Sequence, residues 1–282
     1  MITTWGEAVD FTFKTRKSWR DGNGRVPCQV NTNHITRILG ADFPLTSFSR
    51  AVLRDIAFQL EDYGLSDATI NRVITSYTTV LNHCNEEEEI DLPVPKIPRR
   101  KETAGRPNFF TQSQVEAICS HLNNTSRSDI VRFAALTGGR QGELLKLQVK
   151  DIDLDKELVY FGGRPDFNTK TGDWRTVPLH PRLVTLIKRR IAGAPSDAPV
   201  FDEWHSSDQL LRKFKQWVRD VGIEPHYVFH CLRHSFATWH VEANTPLRVI
   251  MDMMGHKKFE TTLRYAKATD KARQAAISSF VG

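Results

Sequence analysis

A chain of 282 residues is long enough for two compact domains of roughly 100–150 residues, each with its own core. With 40% hydrophobic and 26% charged residues, the composition is that of a globular protein and excludes a disordered or fibrous one. No apolar run approaches the roughly 20 residues that a membrane-spanning helix needs, and residues 1–19 are charged where a signal peptide would be apolar. We therefore expect a cytoplasmic protein without a membrane partner.

The cysteines lie far apart and form no C-x-x-C pair, so we expect neither a disulfide framework nor a zinc knuckle. They are Cys28, Cys84, Cys119 and Cys231, which we interpret as buried thiols.

The net charge of +6 favours a polyanionic partner. Basic and acidic residues number 9 and 12 in residues 1–90, 5 and 2 in 91–110, and 25 and 19 in 111–282. The positive charge therefore lies in the middle and in the C-terminal part of the chain.

Four helices are predicted in the first part of the chain. A capping box, Thr4-x-x-Glu7, begins the first helix, and apolar periodicity places the others at about residues 27–39, 49–63 and 66–83. The acidic run that follows, at 86–89, is either a solvated face or a segment that holds a basic patch until DNA competes for it. The pattern predicts a small all-α domain.

Residues 91–109 show neither helical nor alternating periodicity and combine four prolines with five basic residues. Such a composition is typical of an extended linker, so we predict a helical domain at 1–90, a basic linker at 91–109 and a second domain at 110–282. The linker is compatible with two interpretations, a segment that follows DNA phosphates and a solvated tether. Its candidate DNA contacts are Arg99, Arg100, Lys101 and Arg106.

The second domain is predicted to be mainly α, of the α+β class, with a small antiparallel sheet. A second capping box, Thr111-x-x-Gln114, marks its first helix, and an apolar helix at 129–136 stops at Gly138 and Gly139. Alternating stretches predict strands at 157–161, 167–170 and 174–179, with a turn at 171–173. Further helices are predicted to start near residues 181, 207, 230, 246 and 270.

An arginine follows the two glycines that end the predicted helix, immediately before a further helical turn. Arg140 therefore projects from a fixed backbone, and its guanidinium presents a planar fork of donors that matches two phosphate oxygens. Glu143, three residues on, is placed to orient that fork from behind. A surface Arg–Glu pair is the alternative interpretation.

A second group of polar residues lies near the predicted helix start at residue 230. In a helix, His230 and Arg233 share one face, where both can address one phosphate. His230 and His234 have the spacing of a zinc pair, but Arg233 lies between them and the glutamate of H-E-x-x-H sites is missing. We therefore favour the phosphate site and expect His234 to be a structural hydrogen-bonding histidine.

A tyrosine near the C-terminus follows a Gly-His step by nine positions. Such a residue is usually part of the core. Tyr265, however, shares its segment with His256, Lys257, Lys258 and Arg264, and a phenol of pKa about 10 needs cationic neighbours before it can act as a nucleophile. A place in the core and a nucleophilic role both stay open for this tyrosine, and the two lysines are candidate DNA contacts.

A lysine precedes the predicted turn at 171–173. On a two-stranded tip, Lys170 can swing toward a bound substrate and deliver a proton to a leaving alkoxide. An exposed hairpin lysine is more often a solubilising charge, so this residue is not informative by itself.

Taken in order, these elements resemble the tyrosine recombinase, or phage integrase, family from about Phe110 to the C-terminus. The resemblance implies the fold of DNA breaking-rejoining enzymes, with an all-α core-binding domain before the catalytic domain. Six residues match the family's catalytic positions: Arg140, Lys170, His230, Arg233, His256 and Tyr265.

By that resemblance, Tyr265 attacks the scissile phosphate to give a 3′-phosphotyrosyl link and a free 5′-hydroxyl. Arg140, Arg233 and His256 hold the charge that develops on the phosphate oxygens. This division agrees with the physics of phosphoryl transfer, in which positioning and electrostatic stabilisation supply most of the catalysis.

The resemblance further implies that Lys170 is the general acid and that His230 assists proton transfer. We expect no metal and no other cofactor, because arginines can hold the phosphate and the phosphotyrosyl bond conserves the energy that rejoining needs. The sequence also contains no G-x-x-x-x-G-K-[ST] loop for ATP.

The implied partners are double-stranded DNA at specific recombination sites, three further copies of the chain in a tetramer, and accessory DNA-bending proteins, on the nucleoid of a bacterial host. The tail at 270–282 is compatible with docking on a neighbouring protomer or with folding back on its own domain. Two alternatives stay open, a nicking-closing topoisomerase of type IB and a DNA-binding architectural protein without catalysis.

Overall fold

The computed structural model describes residues 2–22, 24–102, 108–123, 125–167 and 174–266. The chain divides into two compact units, Met1–Ala104 and Gly105–Gly282, and each has its own hydrophobic core. Within the described ranges, no helix is long and apolar enough to cross a membrane.

Among its described residues, the first unit has helices and no strand. Its helices are α1 (Trp5–Thr15), α2 (Lys17–Arg20), α3 (Arg25–Leu39), α4 (Arg50–Asp62) and α5 (Asp67–Glu88), with a 3-10 turn at Leu45–Ser47. The four predicted helices are confirmed, and the capping box of Thr4 and Glu7 begins α1 as expected. Sequence patterns missed the single turn of α2. They also ended α5 too early, since its last turn includes most of the acidic run.

Helix α5 is the centre of this unit, because α1, α3 and α4 all contact it. Its periodic apolar face buries Ile70, Val73, Tyr77 and Val80, and the ring of Tyr77 packs on Phe48 with ring centroids 4.7 Å apart. A 22-residue helix is stabilised mainly by such an apolar face and only secondarily by propensity.

Residues 91–102 have no regular secondary structure and belong to the first unit. Two asparagines of α5 hold them. Asn85 exchanges two hydrogen bonds of 2.9 Å with the backbone of Leu92, and Asn71 exchanges two of 2.9 Å with the backbone of Arg100. Fourteen helical residues rise about 21 Å and eight extended residues span about 25 Å, so the segment runs antiparallel along α5. The predicted limits of the two domains and of the linker stay predictions.

The second unit is mainly helical with a small sheet, which confirms the predicted class. Its helices are α6 (Gln112–His121), α7 (Ser126–Thr137), α8 (Gln141–Leu144), α9 (Pro181–Ile191), α10 (Ser207–Asp220), α11 (His230–Glu242), α12 (Leu247–Met254) and α13 (Phe259–Ala266), with a 3-10 turn at Val149–Asp151. Its strands are β1 (Ile152–Asp153), β2 (Leu158–Phe161) and β3 (Arg175–Pro178). The capping box of Thr111 and Gln114 begins α6 as expected.

The three strands form one antiparallel sheet in the order β1-β2-β3. Val159 pairs with Val177, and both side chains are buried, as the alternating pattern predicts. The two-residue β1 was missed because it is too short to alternate. Of the predicted strand at 167–170, Phe167 forms only an isolated bridge with Arg164, and residues 168–173 lie outside the described ranges.

Two helices end at glycines that closely precede predicted site residues, Arg140 and His256. Gly138 ends α7 with φ +64°, and a Cβ there would lie 2.6 Å from Cδ1 of Phe236 on α11. Gly255 ends α12 with φ +61°. Both conformations are left-handed and favour glycine, and the first also lets α7 and α11 approach closely. The helix start predicted near residue 246 is confirmed, whereas α13 was not predicted and the start near 270 lies outside the described ranges.

Candidate active site

Arg140 is the residue before α8, and the carboxylate of Glu143 fixes it at two points. The backbone N–H of Arg140 donates to Oε2 of Glu143 at 2.8 Å, and Nη1 donates to Oε1 at 2.7 Å. Its Nη2 donates to the carbonyl of Gly255 at 3.3 Å, and the side chain stays 23% exposed. The guanidinium is therefore oriented from behind while part of it faces solvent.

Arg233 lies one turn into α11 and is only 2% exposed. Its Nη1 donates to the carbonyl of Gly138 at 2.6 Å, and its Nη2 donates to the carbonyl of Met254. Burial, followed by repulsion from Arg140 and Arg175, lowers the pKa of Arg233 to about 9. The guanidinium is thus still a cation at neutral pH. Because it is buried beside two other cations, a bound anion would stabilise it.

The two predicted phosphate ligands converge, although 93 positions separate them in the sequence. Arg140 donates to the carbonyl of Gly255 and Arg233 to that of Met254, so consecutive peptide groups at the end of α12 hold both guanidiniums. The left-handed turn at Gly255 presents these carbonyls.

His256 follows this turn directly. Its Nδ1 lies 2.9 Å from Oγ1 of the fully buried Thr262 on α13. Burial, followed by the charges of Arg233 and Arg140, lowers the pKa of His256 to about 3. The imidazole is therefore neutral at physiological pH, and it can offer an N–H donor but no charge.

Tyr265 is 2% exposed on α13, and its hydroxyl lies 2.7 Å from Nδ1 of His234. Burial raises the pKa of the phenol, although the charges of Arg233 and Arg264 act in the opposite direction. Burial, followed by the charge of His230, lowers the pKa of His234 to about 4, so its ring is neutral. The phenol is thus close enough to Arg233 and Arg264 to feel their charges, while its hydroxyl is held by His234.

His230 begins α11 and is exposed. Its ring meets that of His234 edge to face, with centroids 4.8 Å apart. Among the described residues, no group of three or more His, Cys, Asp and Glu is arranged to hold a metal ion. In the part of the chain that the structure describes, His230 and His234 therefore have no third side chain with which to bind zinc.

The remaining predicted residues divide into three sets. Lys170 and Arg106 lie outside the described ranges. Lys257 and Lys258 are exposed immediately after His256. In the first unit, Lys101 is exposed, Arg99 pairs with Glu102, and Arg100 donates to Glu61, Asp67 and the carbonyl of Ala57.

Sequence patterns missed one residue of this group, Arg175 at the start of β3. Its Nη1 and Nη2 donate to the two oxygens of Glu143 at 3.1 and 2.7 Å. Burial alone would raise the pKa of Glu143, but the hydrogen bonds and charge of Arg175, followed by Arg140, lower it to about 2. A lone arginine in a strand carries no local signal, so only its position opposite Glu143 reveals this contact.

Three guanidiniums, one carboxylate, a neutral imidazole and a phenol thus lie at the junction of α8, α11, α12, α13 and β3. Fixed guanidiniums bind phosphate oxygens and stabilise charge as it develops, and a phenol is a nucleophile once its anion is stabilised. The site has the groups for nucleophilic displacement at a phosphodiester.

Comparison with known sequences identifies the family. A sequence model of the phage integrase family matches residues 108–272, more than half of the chain. Tyrosine recombinase XerA of Pyrococcus furiosus is 28% identical over 268 residues, which cover 91% of this chain and 88% of that protein. XerD of Oceanobacillus iheyensis is also 28% identical, with 86% of each chain covered.

Solved structures show the same fold. The Tn1549 transposon integrase in complex with transposon right end DNA superimposes with a TM-score of 0.74 at 18% identity, covering 99% of this chain and 100% of that chain. A lambda integrase dimer bound to a COC′ core site gives a TM-score of 0.71 at 18% identity, covering 95% and 77%. The chain belongs to the phage integrase family, the family of the tyrosine site-specific recombinases.

Proposed function

We propose that this chain cleaves and rejoins DNA at specific sites through a 3′-phosphotyrosyl intermediate on Tyr265. The observation that supports the proposal best is the convergence of Arg140 and Arg233 on consecutive carbonyls, with the charge of Arg233 acting on the phenol of Tyr265. One scissile phosphate must meet both guanidiniums at once, because catalysis of phosphoryl transfer consists largely of positioning and charge stabilisation.

In this mechanism, Arg140 and Arg233 bind the non-bridging oxygens, and His256 donates an N–H to one of them. The carbonyls of Gly255 and Met254 hold the guanidiniums before DNA arrives, so little reorganisation is needed when charge develops. In the protein without DNA, burial and the neighbouring guanidiniums lower the pKa of His256, so its ring offers an N–H donor before the phosphate arrives.

Attack requires a rearrangement of the nucleophile. The hydroxyl of Tyr265 is buried and bonded to His234, so its oxygen must leave that partner and turn toward the phosphate. The interaction of DNA with the arginines supplies free energy for this step. As the phenol gives up its proton to His230 and its oxygen bonds to phosphorus, the bond to the 5′ oxygen breaks, and that oxygen takes a proton from Lys170.

Rejoining reverses the displacement with the 5′-hydroxyl of a partner strand. The phosphotyrosyl bond conserves the energy of the broken backbone bond, so the proposal requires neither ATP nor a metal ion. The active form is a homo-tetramer on two duplexes, with Arg99 and Lys101 of the linker and Lys257 and Lys258 of the second unit on phosphates.

A nicked suicide duplex tests the proposal. A set of such nicked duplexes covers the genomic DNA on both sides of the coding sequence. Each duplex is incubated with the protein, and covalent protein–DNA adducts are detected on denaturing gels. We expect an adduct with the wild type and with the control Tyr227→Phe, and none with Tyr265→Phe. An adduct that persists in Tyr265→Phe, or the lack of one from every fragment with the wild type, would contradict it.

A second assay separates recombination from topoisomerase chemistry. Paired copies of the cleaved site on two labelled duplexes give exchanged products and a Holliday junction if the chain is a recombinase. A nicking-closing enzyme relaxes supercoiled plasmid but exchanges no partners.

A further inference from the structure

The side chain of Arg175 makes all its recorded contacts with residues outside its own strand. It is 8% exposed, and besides both oxygens of Glu143 it contacts the carbonyl of Met253, to which its Nε donates at 2.7 Å. Its guanidinium also lies 4.6 Å from the ring centroid of Phe161 on β2. Four contacts from three elements fix its position.

The carboxylate between the two arginines is shared. Oε1 of Glu143 accepts from Nη1 of Arg140 at 2.7 Å and from Nη1 of Arg175 at 3.1 Å. If Arg175 were absent, the whole negative charge of Glu143 would act on Arg140 and cancel most of its charge. The third guanidinium therefore leaves Arg140 available to an external anion.

We propose that Arg175 is a positioning residue for DNA cleavage, which holds Glu143 in place behind Arg140 and keeps the net charge of the site at two positive. The inference rests on the proposed function. Arg175 does not touch the phosphate in this role and acts through its two neighbours.

Electrostatics explains why a net charge of two suits the reaction. A phosphodiester carries one negative charge, and attack by a phenolate produces a five-coordinate state with two. Arg140, Arg175 and Arg233 with the ionised Glu143 together carry two positive charges, which match this state. Preorganised charge that fits the transition state better than the ground state accelerates the chemical step.

The test compares two substrates in single-turnover cleavage by the full-length protein, at saturating enzyme. One is the nicked duplex found above, and the other carries a neutral methylphosphonate at the cleaved position, whose five-coordinate state has one negative charge fewer. We expect Arg175→Met to slow cleavage of the phosphodiester on the order of 100-fold, and that of the methylphosphonate less than about 10-fold. DNA binding by the variant is expected to change little.

A double variant and a matched control complete the design. Arg175→Met/Glu143→Gln restores two positive charges through Arg140 and Arg233, so we expect it to cleave faster than Arg175→Met. Arg190→Met removes a similar arginine, which contacts the buried Asp129, a carbonyl and a phenylalanine ring in the same unit. Its folded fraction is expected to cleave like the wild type on both substrates.

Equal losses on both substrates with Arg175→Met would overturn the inference and assign this arginine a purely structural role. Wild-type rates with Arg175→Met would also overturn it, while the adduct on Tyr265 would leave the proposed function intact. A wild-type protein that forms no adduct would remove the proposed function and this inference together.

Discussion

The two units of this chain bury different kinds of polar residue. In the first unit, the buried polar side chains are an amide, hydroxyls and an imidazole: Thr12, Thr32, Asn71, Ser76 and His83. In the second unit they include five ionisable side chains of Asp, Glu and Arg: Asp129, Glu143, Asp151, Arg175 and Arg233. No Asp, Glu, Lys or Arg is buried among the described residues of the first unit.

The difference indicates where the chemistry lies. Removing an ion from water costs several kcal/mol, and pairing it inside a protein rarely returns more than that. Where a segment of backbone only has to be held in place, neutral groups are enough, as Asn71 and Asn85 show when they hold residues 91–102. The proposed function needs fixed cations for a phosphate, and the second unit holds such cations within its own fold.

The largest effect is expected at Arg233. Replacement by Lys leaves a single point donor for the carbonyls of Gly138 and Met254 and removes the planar fork that two phosphate oxygens require. We expect cleavage to fall on the order of 1000-fold and the free energy of unfolding to fall by about 2–4 kcal/mol. Single-turnover cleavage and urea denaturation measure the two effects. A wild-type cleavage rate would remove Arg233 from the site.

Lowering the pH should destabilise the second unit before it destabilises the first. The folded-state pKa of Glu143 lies below its ordinary value, so its stabilisation is complete above about pH 4.5 and is lost as the pH falls toward 2. This contribution of Glu143 to the free energy of unfolding is about 3 kcal/mol. His234 and His256 also have lowered pKa values, and the folded state binds fewer protons than the unfolded one, so stability falls as the pH drops below about 6.5.

Hydrogen exchange resolved by segment checks this acid response. Peptides of α11 and α13 should lose protection between pH 6 and about 4, before peptides of α5 do. Simultaneous loss in both units would contradict the assignment of acid sensitivity to the buried site.

In the first unit, Asn71→Ala should have an effect of intermediate size. The amide of Asn71 makes three hydrogen bonds of 2.9 Å, two to the backbone of Arg100 and one to Glu102, at 5% exposure. We expect a loss of about 2 kcal/mol and faster exchange in residues 91–102, with no change in α11. The exposed Asn33 on α3 provides the control, because Asn33→Ala should be neutral or slightly stabilising.

The smallest effects should be equal in the two units. Thr4 and Thr111 begin their helices with the same capping box, so Thr4→Ala and Thr111→Ala should each cost about 1 kcal/mol. Urea denaturation monitored in each unit measures both. A cost several times larger in one unit would show that its capping box is coupled to tertiary contacts that the other lacks.

Local sequence patterns determined a large part of this protein. Capping boxes, left-handed glycines and apolar periodicity act over a few residues, so they placed the helix starts at Trp5 and Gln112 and the helix end at Thr137. The order and spacing of the polar motifs were enough to indicate the family, since Arg140, His230, Arg233, His256 and Tyr265 all stand in recognisable settings.

Tertiary structure alone decided how those residues meet. The sequence could not show that Arg175 shares the carboxylate of Glu143, or that His234 holds the hydroxyl of Tyr265, because each contact joins elements more than 30 positions apart. Nor could it show that the pKa of His256 is lowered, since burial and four neighbouring guanidiniums set that pKa. Residue types and local geometry are encoded within a few positions, whereas burial and charge coupling exist only after distant segments have packed together.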